Sequence, residues 1–335
     1  MHSFIAAEKE ALICVRKGYR VQPGESVLVL ADGNHELEAQ ALAAAANSVG
    51  ADVALMDISS IVVQGLLMPG IPEPPKHVSA AVKNADVIII KTEIDYAHRF
   101  AHTTTVREAV DSQVRIASVE EGLGSWGLTE GDIDKVEKRT DTLIDIFKGA
   151  DKIHVSSKQG TDISLSIKGR PPLKVTPVRQ KGVMMGPMPL WGEVAYAAIE
   201  DSANGQIVMD GVMNVVAPYG VKNYITVKAK NGRAYEISGG EEAQKLKSVL
   251  ASADEGSNVV AEFSLGSGHL VKFGTLSEKG KLGTVHFALG DNHHAYPGGK
   301  NVSKWHLDAT VRYPTVEVDG KTIIKDGEWI FEKQN

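Results

Sequence analysis

Two residues that can bind a metal ion stand two positions apart in the stretch WHLD. His306 and Asp308 open an apolar run that is typical of a β-strand. Side chains at positions i and i+2 of a strand project from the same face, so this imidazole and this carboxylate would point into one space. Both are ligand types that suit zinc, iron, manganese or cobalt. Taken alone the pair is a weak signal, because a polar pair at the surface is the better explanation of such spacing.

Three further polar residues interrupt apolar segments upstream. Glu193 lies in MPLWGEVAYAAI, Glu262 in VVAEFSLG and His286 in TVHFALG. Such a group is costly inside an apolar strand unless it is hydrogen-bonded, paired or bound to a metal. Each one alone is better explained by an ordinary hydrogen bond or ion pair. With His306 and Asp308, however, they make three carboxylates and two imidazoles, which can hold two divalent cations with one carboxylate bridging. Without cations, the three carboxylates would raise one another's pKa.

The order of the predicted elements places these ligands in a β-rich second half of the chain. Residues 1–149 alternate helices with the apolar strands SVLVLAD, DVALMDI, ADVIIIKTE and VRIASV, which predicts an α/β domain with a mainly parallel, doubly wound sheet. Residues 150–335 show period-two alternation with Asn-Gly and Asp-Gly hairpin turns, which predicts an antiparallel sheet or barrel. We therefore predict two domains, 1–149 and 150–335, with the metal site in the second.

Composition and motifs argue against several classes of function. The net charge of −6 and the lack of a basic run disfavour nucleic-acid binding. No apolar run reaches about 18 residues, so we expect no membrane span. The first strand is followed by neither Gly-x-Gly-x-x-Gly nor Gly-Lys-Ser/Thr, which disfavours a dinucleotide site. The lone Cys14 excludes an internal disulfide and, with an N-terminus unlike a signal peptide, predicts a cytoplasmic protein.

The motifs occur in an order that resembles a known family. The segments GTDISLSIKGR, WGEV, AEFSLG, GTVHFALGDN, HLD and VDGKTIIKDGEWI follow one another as in the M29 metallopeptidases of the aminopeptidase T and aminopeptidase S type, and HTTTVREAV is similar to a segment of their N-terminal domain. The resemblance implies a leucyl aminopeptidase-like hydrolase of small peptides or amides, a homo-oligomer, and two zinc, cobalt or manganese ions per chain. The family's metal ligands fall on Glu193, Glu262, His286, His306 and Asp308.

The resemblance also bears on catalysis and substrate binding. Besides Glu193 and Glu262, we take His293 and His294 as catalytic candidates, because an unperturbed imidazole titrates near pH 6.5 and can move a proton. A tyrosine of the family's active site falls at His293, which is a departure from the pattern. A solvated loop is the alternative explanation for both histidines. Weaker candidates for contacts with substrate are His102, Arg179, Trp191 and Tyr219.

A second relative leaves another function open. The 2,5-dihydroxypyridine 5,6-dioxygenases resemble the same fold and bind one Fe(II) through two histidines and one carboxylate. Two members of that triad fall on His306 and Asp308, but the third is a histidine where this sequence has Glu262. Those enzymes also lack the ligands found here at Glu193 and His286. We therefore predict hydrolysis, with an Fe(II) ring-cleaving dioxygenase of a hydroxylated pyridine or related aromatic as the alternative, and a non-catalytic metal-binding protein as a third possibility.

Overall fold

The computed structural model of the protein describes residues 2–67, 71–183, 185–294 and 296–331. Its α-helices are, in chain order, α1 (His2–Ile13), α2 (Glu36–Ser48), α3 (Ser59–Leu67), α4 (Lys76–Lys83), α5 (Ile94–Phe100), α6 (Thr104–Asp111), α7 (Glu130–Ile146) and α8 (Glu241–Ala251). Its strands are β1 (Ser26–Ala31), β2 (Asp52–Asp57), β3 (Val87–Lys91), β4 (Arg115–Val119), β5 (Lys152–Ser156), β6 (Asp162–Ser166), β7 (Leu173–Val175), β8 (Gly186–Met188), β9 (Glu193–Ala197), β10 (Asn204–Met209), β11 (Ile225–Lys230), β12 (Arg233–Ser238), β13 (Val260–Gly266), β14 (Val285–Gly290), β15 (His306–Val311), β16 (Thr315–Val318), β17 (Lys321–Lys325) and β18 (Glu328–Trp329). Short turns of other helix types cover Cys14–Gly18, Gly33–His35 and Leu276–Gly280.

The chain divides into two compact units. One comprises Met1–Lys138 and Val175–Trp191, and the other comprises Arg139–Lys174 and Gly192–Asn335. The domain limits at 149 and 150 stay a prediction. Within the described part of the chain, no helix has both the length and the apolar character that crossing a membrane requires.

The first unit contains a five-stranded parallel sheet with the strand order β2-β1-β3-β4-β8. Every residue of β3 and β4 is buried, as expected for strands of a parallel sheet that is covered on both faces. This confirms the predicted α/β fold and its four apolar strands. The fifth strand, Gly186–Met188, escaped prediction because three residues are too short to show a period.

The second unit contains two sheets and confirms the predicted β-rich second half. One has eight strands in the order β12-β11-β10-β6-β5-β16-β17-β18, and the other has the order β15-β14-β13-β9-β7. The two predicted hairpin turns are also confirmed. Asn231 and Gly232 join β11 to β12, and Asp319 and Gly320 join β16 to β17. All four have φ between 48° and 80°, as a type I′ turn requires.

The five-stranded sheet of the second unit has one strongly apolar face. A row of paired residues crosses it from Tyr196 on β9 through Phe263 and Phe287 to Ala309 on β15. All four belong to the hydrophobic core of the unit, and the rings of Phe263 and Phe287 lie 6.1 Å apart. Because successive side chains of a strand alternate between faces, the residues between them must point to the opposite face.

A buried carboxylate anchors the short helical turn that precedes β14. Glu278 is fully buried and accepts hydrogen bonds from the backbone N–H groups of Val212, at 2.8 Å, and Gly274, at 2.7 Å. The Arg312 guanidinium donates to both carboxylate oxygens. A Cβ atom at Gly211 would lie 2.1 Å from Oε1, so this close approach needs a glycine there. The turn Leu276–Gly280 is thereby held beside β14 and β15.

We predict that Glu278→Ala lowers the free energy of unfolding by about 3 kcal/mol, because it leaves a guanidinium and two backbone N–H groups without their acceptor. Urea unfolding followed by circular dichroism measures the loss. Glu236→Ala is the matched control, since Glu236 pairs with Lys228 at the exposed surface of the same unit and its removal should change stability little. Equal effects of the two substitutions would contradict the anchoring role.

Candidate metal centre

Four neighbouring strands carry the five predicted metal ligands on one face of the five-stranded sheet. Glu262 on β13 lies opposite Ala288 on β14, and Ala288 lies opposite Asp308 on β15. His286 lies opposite Ser264, one pleat away on the same face. This is the face opposite the apolar core, as the strand alternation predicts. The positions between the ligands hold small side chains, namely Ala195, Ala197, Ser264 and Ala288.

The five side chains meet in one buried group, called here the five-residue cluster. Glu262 lies at its centre, with Oε1 3.2 Å from Nε2 of His286 and Oε2 3.0 Å from Nε2 of His306. On one side, Oε2 of Glu193 is 3.7 Å from Nε2 of His286. On the other, Oδ1 of Asp308 is 2.7 Å from Nε2 of His306. All five residues are buried, and Glu262 has no solvent exposure at all.

Backbone carbonyls orient both imidazoles of the cluster. Nδ1–H of His286 donates to the carbonyl of Lys279, at 3.2 Å, and Nδ1–H of His306 donates to the carbonyl of Asp291, at 2.7 Å. Nε2 of each ring therefore faces the carboxylates. A metal-binding histidine is commonly held this way, with one nitrogen donating to an outer acceptor and the other directed at the ion.

Burial and opposite charge act against each other in the cluster. Burial raises the pKa of Glu193 to about 7, although His286 opposes the shift. For Glu262 burial is outweighed by His286 and His306, which lower the pKa of its carboxyl. Burial would lower the pKa of His286, but the carboxylates of Glu262 and Glu193 raise it to about 9. Asp308 and Glu262 likewise hold the pKa of His306 well above its usual value.

The donor set fits a divalent cation. Ligand atoms of Glu262, His286 and Asp308 all lie within 4.8 Å of one another. Oε2 of Glu262 is buried without a well-aligned hydrogen bond from any described residue, although Nε2 of His306 is near. A buried carboxylate oxygen left in this state is costly, and a cation would satisfy it. Carboxylates with imidazoles suit zinc, manganese, cobalt or iron.

Tyr296 and Lys279 also reach the cluster, and neither was predicted from the sequence. The Tyr296 hydroxyl lies 3.1 Å from Nε2 of His306, and the two rings stack with centroids 5.1 Å apart. Nζ of Lys279 lies 2.5 Å from Oδ2 of Asp308, and this lysine is 1% exposed. Tyr296 belongs to the β14–β15 loop, where no periodicity indicates direction. The sequence Tyr-Pro-Gly-Gly, a turn that precedes WHLD, is the feature that could have indicated that Tyr296 lies near His306.

The structure places the other six predicted residues in the β14–β15 loop, at an exposed position and in the first compact unit. His293 and His294 are exposed in the β14–β15 loop, and Nδ1 of His294 is 2.8 Å from Oδ1 of Asp291. Tyr219 is 73% exposed. The remaining three belong to the first compact unit: His102, which precedes the N-cap Thr103 of α6, and the buried Arg179 and Trp191. Contacts of any of these six with a substrate stay a prediction.

Comparison with known proteins places this geometry in a family. The family model described as NicX: 2,5-dihydroxypyridine 5,6-dioxygenase matches residues 14–331. The chain belongs to the NicX family. No curated protein matches it.

Two solved structures share the fold of this NicX-family chain. The 2,5-dihydroxypyridine dioxygenase from Pseudomonas putida KT2440 has a TM-score of 0.74 at 18% identity, covering 97% of this chain and 96% of that one. Wild-type AmpT from Thermus thermophilus has a TM-score of 0.72 at 18% identity, covering 97% and 99%. At this identity the two structures establish the fold alone.

We predict that a divalent cation displaces protons from the cluster and binds more tightly as the pH rises. The His286 imidazole, with a pKa of about 9 in the metal-free chain, is protonated at pH 7 and must be neutral to bind a metal. Affinity should rise by about tenfold per pH unit for each proton displaced, up to about pH 9. The same raised pKa stabilises the metal-free fold fully below about pH 6.5, and this contribution is lost as the pH rises through 9.

Titration calorimetry with Zn²⁺ in two buffers of different ionisation enthalpy counts the released protons at pH 7. His286→Asn should reduce that number, whereas His154→Gln should not, because His154 lies on β5, in the other sheet of the unit. Zinc binding without proton release would contradict the prediction.

Proposed function

We propose that the protein is a metal-dependent, aminopeptidase-like hydrolase of small peptides or amides that uses a metal-activated water. The observation that carries this proposal is the position of Glu262 between two imidazoles. Its two oxygens face different histidines, at 3.2 Å and 3.0 Å, so the carboxylate belongs to two groups of donors at once. If two cations were bound, Glu262 would be the residue within reach of both groups of donors.

The two groups of donors are alike in composition. Glu193 and His286 stand on one side of Glu262, and His306 and Asp308 stand on the other. Each side thus offers one imidazole and one carboxylate and shares the central carboxylate. Two divalent cations, when bound, lower the pKa of water toward about 7 and polarise the carbonyl to be cleaved. If a single cation were bound, one of the two imidazole–carboxylate pairs would have no cation to bind.

Tyr296 supplies a hydrogen-bond donor to the same space. Burial, together with the Glu262 and Asp308 carboxylates, holds the pKa of its hydroxyl well above the usual value, so the group keeps its proton at neutral pH. A neutral O–H donor next to His306 can stabilise negative charge that develops on the carbonyl oxygen of a substrate. Ala195, Ala197 and Ala288 are the small residues that lie between the ligands on this face.

The β14–β15 loop also carries two exposed imidazoles. His294 is exposed, and its Nδ1–H donates to Oδ1 of Asp291, which leaves Nε2 turned away from that carboxylate. The Asp291 carbonyl in turn accepts from Nδ1–H of His306. We infer that His294, with His293 beside it at a ring distance of 5.2 Å, takes up or delivers protons as the reaction proceeds.

A second candidate function is an Fe(II)-dependent ring-cleaving dioxygenase of a hydroxylated pyridine. The family match over residues 14–331 favours it. A single iron would use three members of the cluster, as in a site of two imidazoles and one carboxylate. The chemistry of the donors favours hydrolysis instead, because three carboxylates are more than that iron site needs.

We predict that Glu193→Ala abolishes hydrolysis of leucine amide, lowering kcat/KM by more than about a hundredfold, and reduces bound metal from two ions per chain to one. Loss of even an outer partner of a metal ligand costs 10–100-fold, and a ligand itself should cost more. Amide hydrolysis and plasma emission spectrometry measure the two effects. Glu236→Ala is the control, since Glu236 is a carboxylate on β12 in the other sheet.

Opposite results are expected from a dioxygenase. One iron per chain, oxygen uptake with 2,5-dihydroxypyridine, and retention of that activity in Glu193→Ala would overturn the hydrolase proposal.

We also predict that Tyr296→Phe lowers kcat for leucine amide by about 10²–10³-fold while the metal content stays at two ions. The substitution removes a donor to the developing oxyanion but keeps the ring that stacks on His306. Steady-state kinetics with a metal analysis of the same sample decides this. A variant with unchanged kcat would exclude Tyr296 from the reaction.

A further inference from the structure

Lys279 is a buried cation inside a group of metal ligands. It sits in the turn Leu276–Gly280, its side chain is 1% exposed, and its ammonium lies 2.5 Å from Oδ2 of Asp308. The neighbouring Glu278, fixed by Arg312 and two backbone N–H groups, leaves the turn little freedom to carry Lys279 away. Burying an ammonium is costly unless its charge is used nearby.

The backbone and the side chain of Lys279 each contact the cluster. Its carbonyl accepts the hydrogen bond from Nδ1–H of His286, and its ammonium pairs with Asp308. The first contact belongs to the backbone and survives any substitution of the side chain. The second divides the Asp308 carboxylate, with Oδ2 on the ammonium and Oδ1 2.7 Å from Nε2 of His306. The side chain of Lys279 therefore acts on the cluster through charge.

We propose that Lys279 is a built-in counter-cation of the metal site. Its ammonium offsets one of three converging carboxylates, which lets the chain fold with the site already assembled before any cation binds. The same charge weakens cation binding at Asp308, so that affinity is limited in exchange for a preformed site. The proposal rests on cation binding by the cluster, which both candidate functions share, and not on hydrolysis.

The charges of the cluster residues support this role. Glu193, Glu262 and Asp308 bring three negative charges together, whereas His286 and His306 must be neutral to bind a metal. Lys279 is different, because an ammonium has no lone pair to offer a cation and therefore is not a ligand. At a separation of a few ångströms in the interior, one unit charge changes the energy of a neighbouring divalent ion strongly.

The test compares Lys279→Met with the unaltered chain, stripped of metal by chelation or saturated with Mn²⁺. Without metal, the variant should melt at a lower temperature, since the Asp308 carboxylate loses its ammonium partner. The rise in Tm on adding Mn²⁺ should be larger than in the unaltered chain, and the Mn²⁺ association constant should be about tenfold higher. Scanning calorimetry and titration calorimetry give the two values.

Two variants separate charge from packing. Lys281→Met is the matched control, because Lys281 lies two residues further on, over the Phe273 ring, with Nζ donating to the Val271 carbonyl. Its Mn²⁺-induced rise in Tm should equal that of the unaltered chain. Lys279→Arg keeps the charge and should show the unaltered Mn²⁺ response.

The outcomes divide cleanly. An equal or smaller Mn²⁺-induced rise in Lys279→Met overturns the proposal, because the lysine then serves packing or the orientation of Asp308. A Lys279→Met chain that folds only when Mn²⁺ is present supports it, and one that folds in neither condition contradicts it. If the unaltered chain itself shows no Mn²⁺ response, cation binding by the cluster fails, and with it the proposed function, whatever the variants do.

Discussion

The Glu262 carboxylate, enclosed by protein and facing one imidazole at each oxygen, is the interaction on which the rest of the site depends. A fully buried charge is tolerated only when polar or oppositely charged groups lie next to it. For Glu262 these groups are the imidazoles of His286 and His306, which lie on the two strands that follow β13 in the chain. The carbonyls that hold these rings, and the Glu278 anchor beside them, all serve to keep Glu262 enclosed.

The same sheet explains how such a polar group coexists with a stable core. Phe263 and Phe287 occupy one face, and Glu262 and His286 lie one residue away on the other. Strand alternation thus places the apolar core on one face of the sheet and the candidate metal ligands on the other. The residues that lie between the ligands on this face are small, namely Ala195, Ala197, Ser264 and Ala288.

Family membership establishes the fold of this protein, whereas the chemistry of the ligands bears on its reaction. The family match and the two similar structures concern the whole chain and establish its fold. Fold does not decide the reaction, because reactions belong to sites that a fold carries. Glu193, Glu262 and His286 are the positions at which the resemblance separates an aminopeptidase from a dioxygenase. We therefore base the proposed reaction on these three side chains rather than on the family match.

Much of the fold and of the ligand set follows from periodicity in the sequence. Apolar runs predicted β1 to β4, and alternation placed Glu262 and Ser264 on one face and His286 beside Ala288. What escaped prediction has no period. Tyr296 and Lys279 reach the cluster from a loop and a short helical turn, where direction depends on tertiary contacts such as the Arg312–Glu278 pair.

The proposed function depends on Glu262 being able to serve two cations at once, when they are bound. Electron paramagnetic resonance of the chain loaded with Mn²⁺ tests it most directly, because two manganese ions bridged by one carboxylate couple their spins. We expect the spectrum of an exchange-coupled pair of Mn²⁺ ions when two ions are bound per chain. A spectrum of isolated Mn²⁺, saturating at one ion per chain, would contradict it.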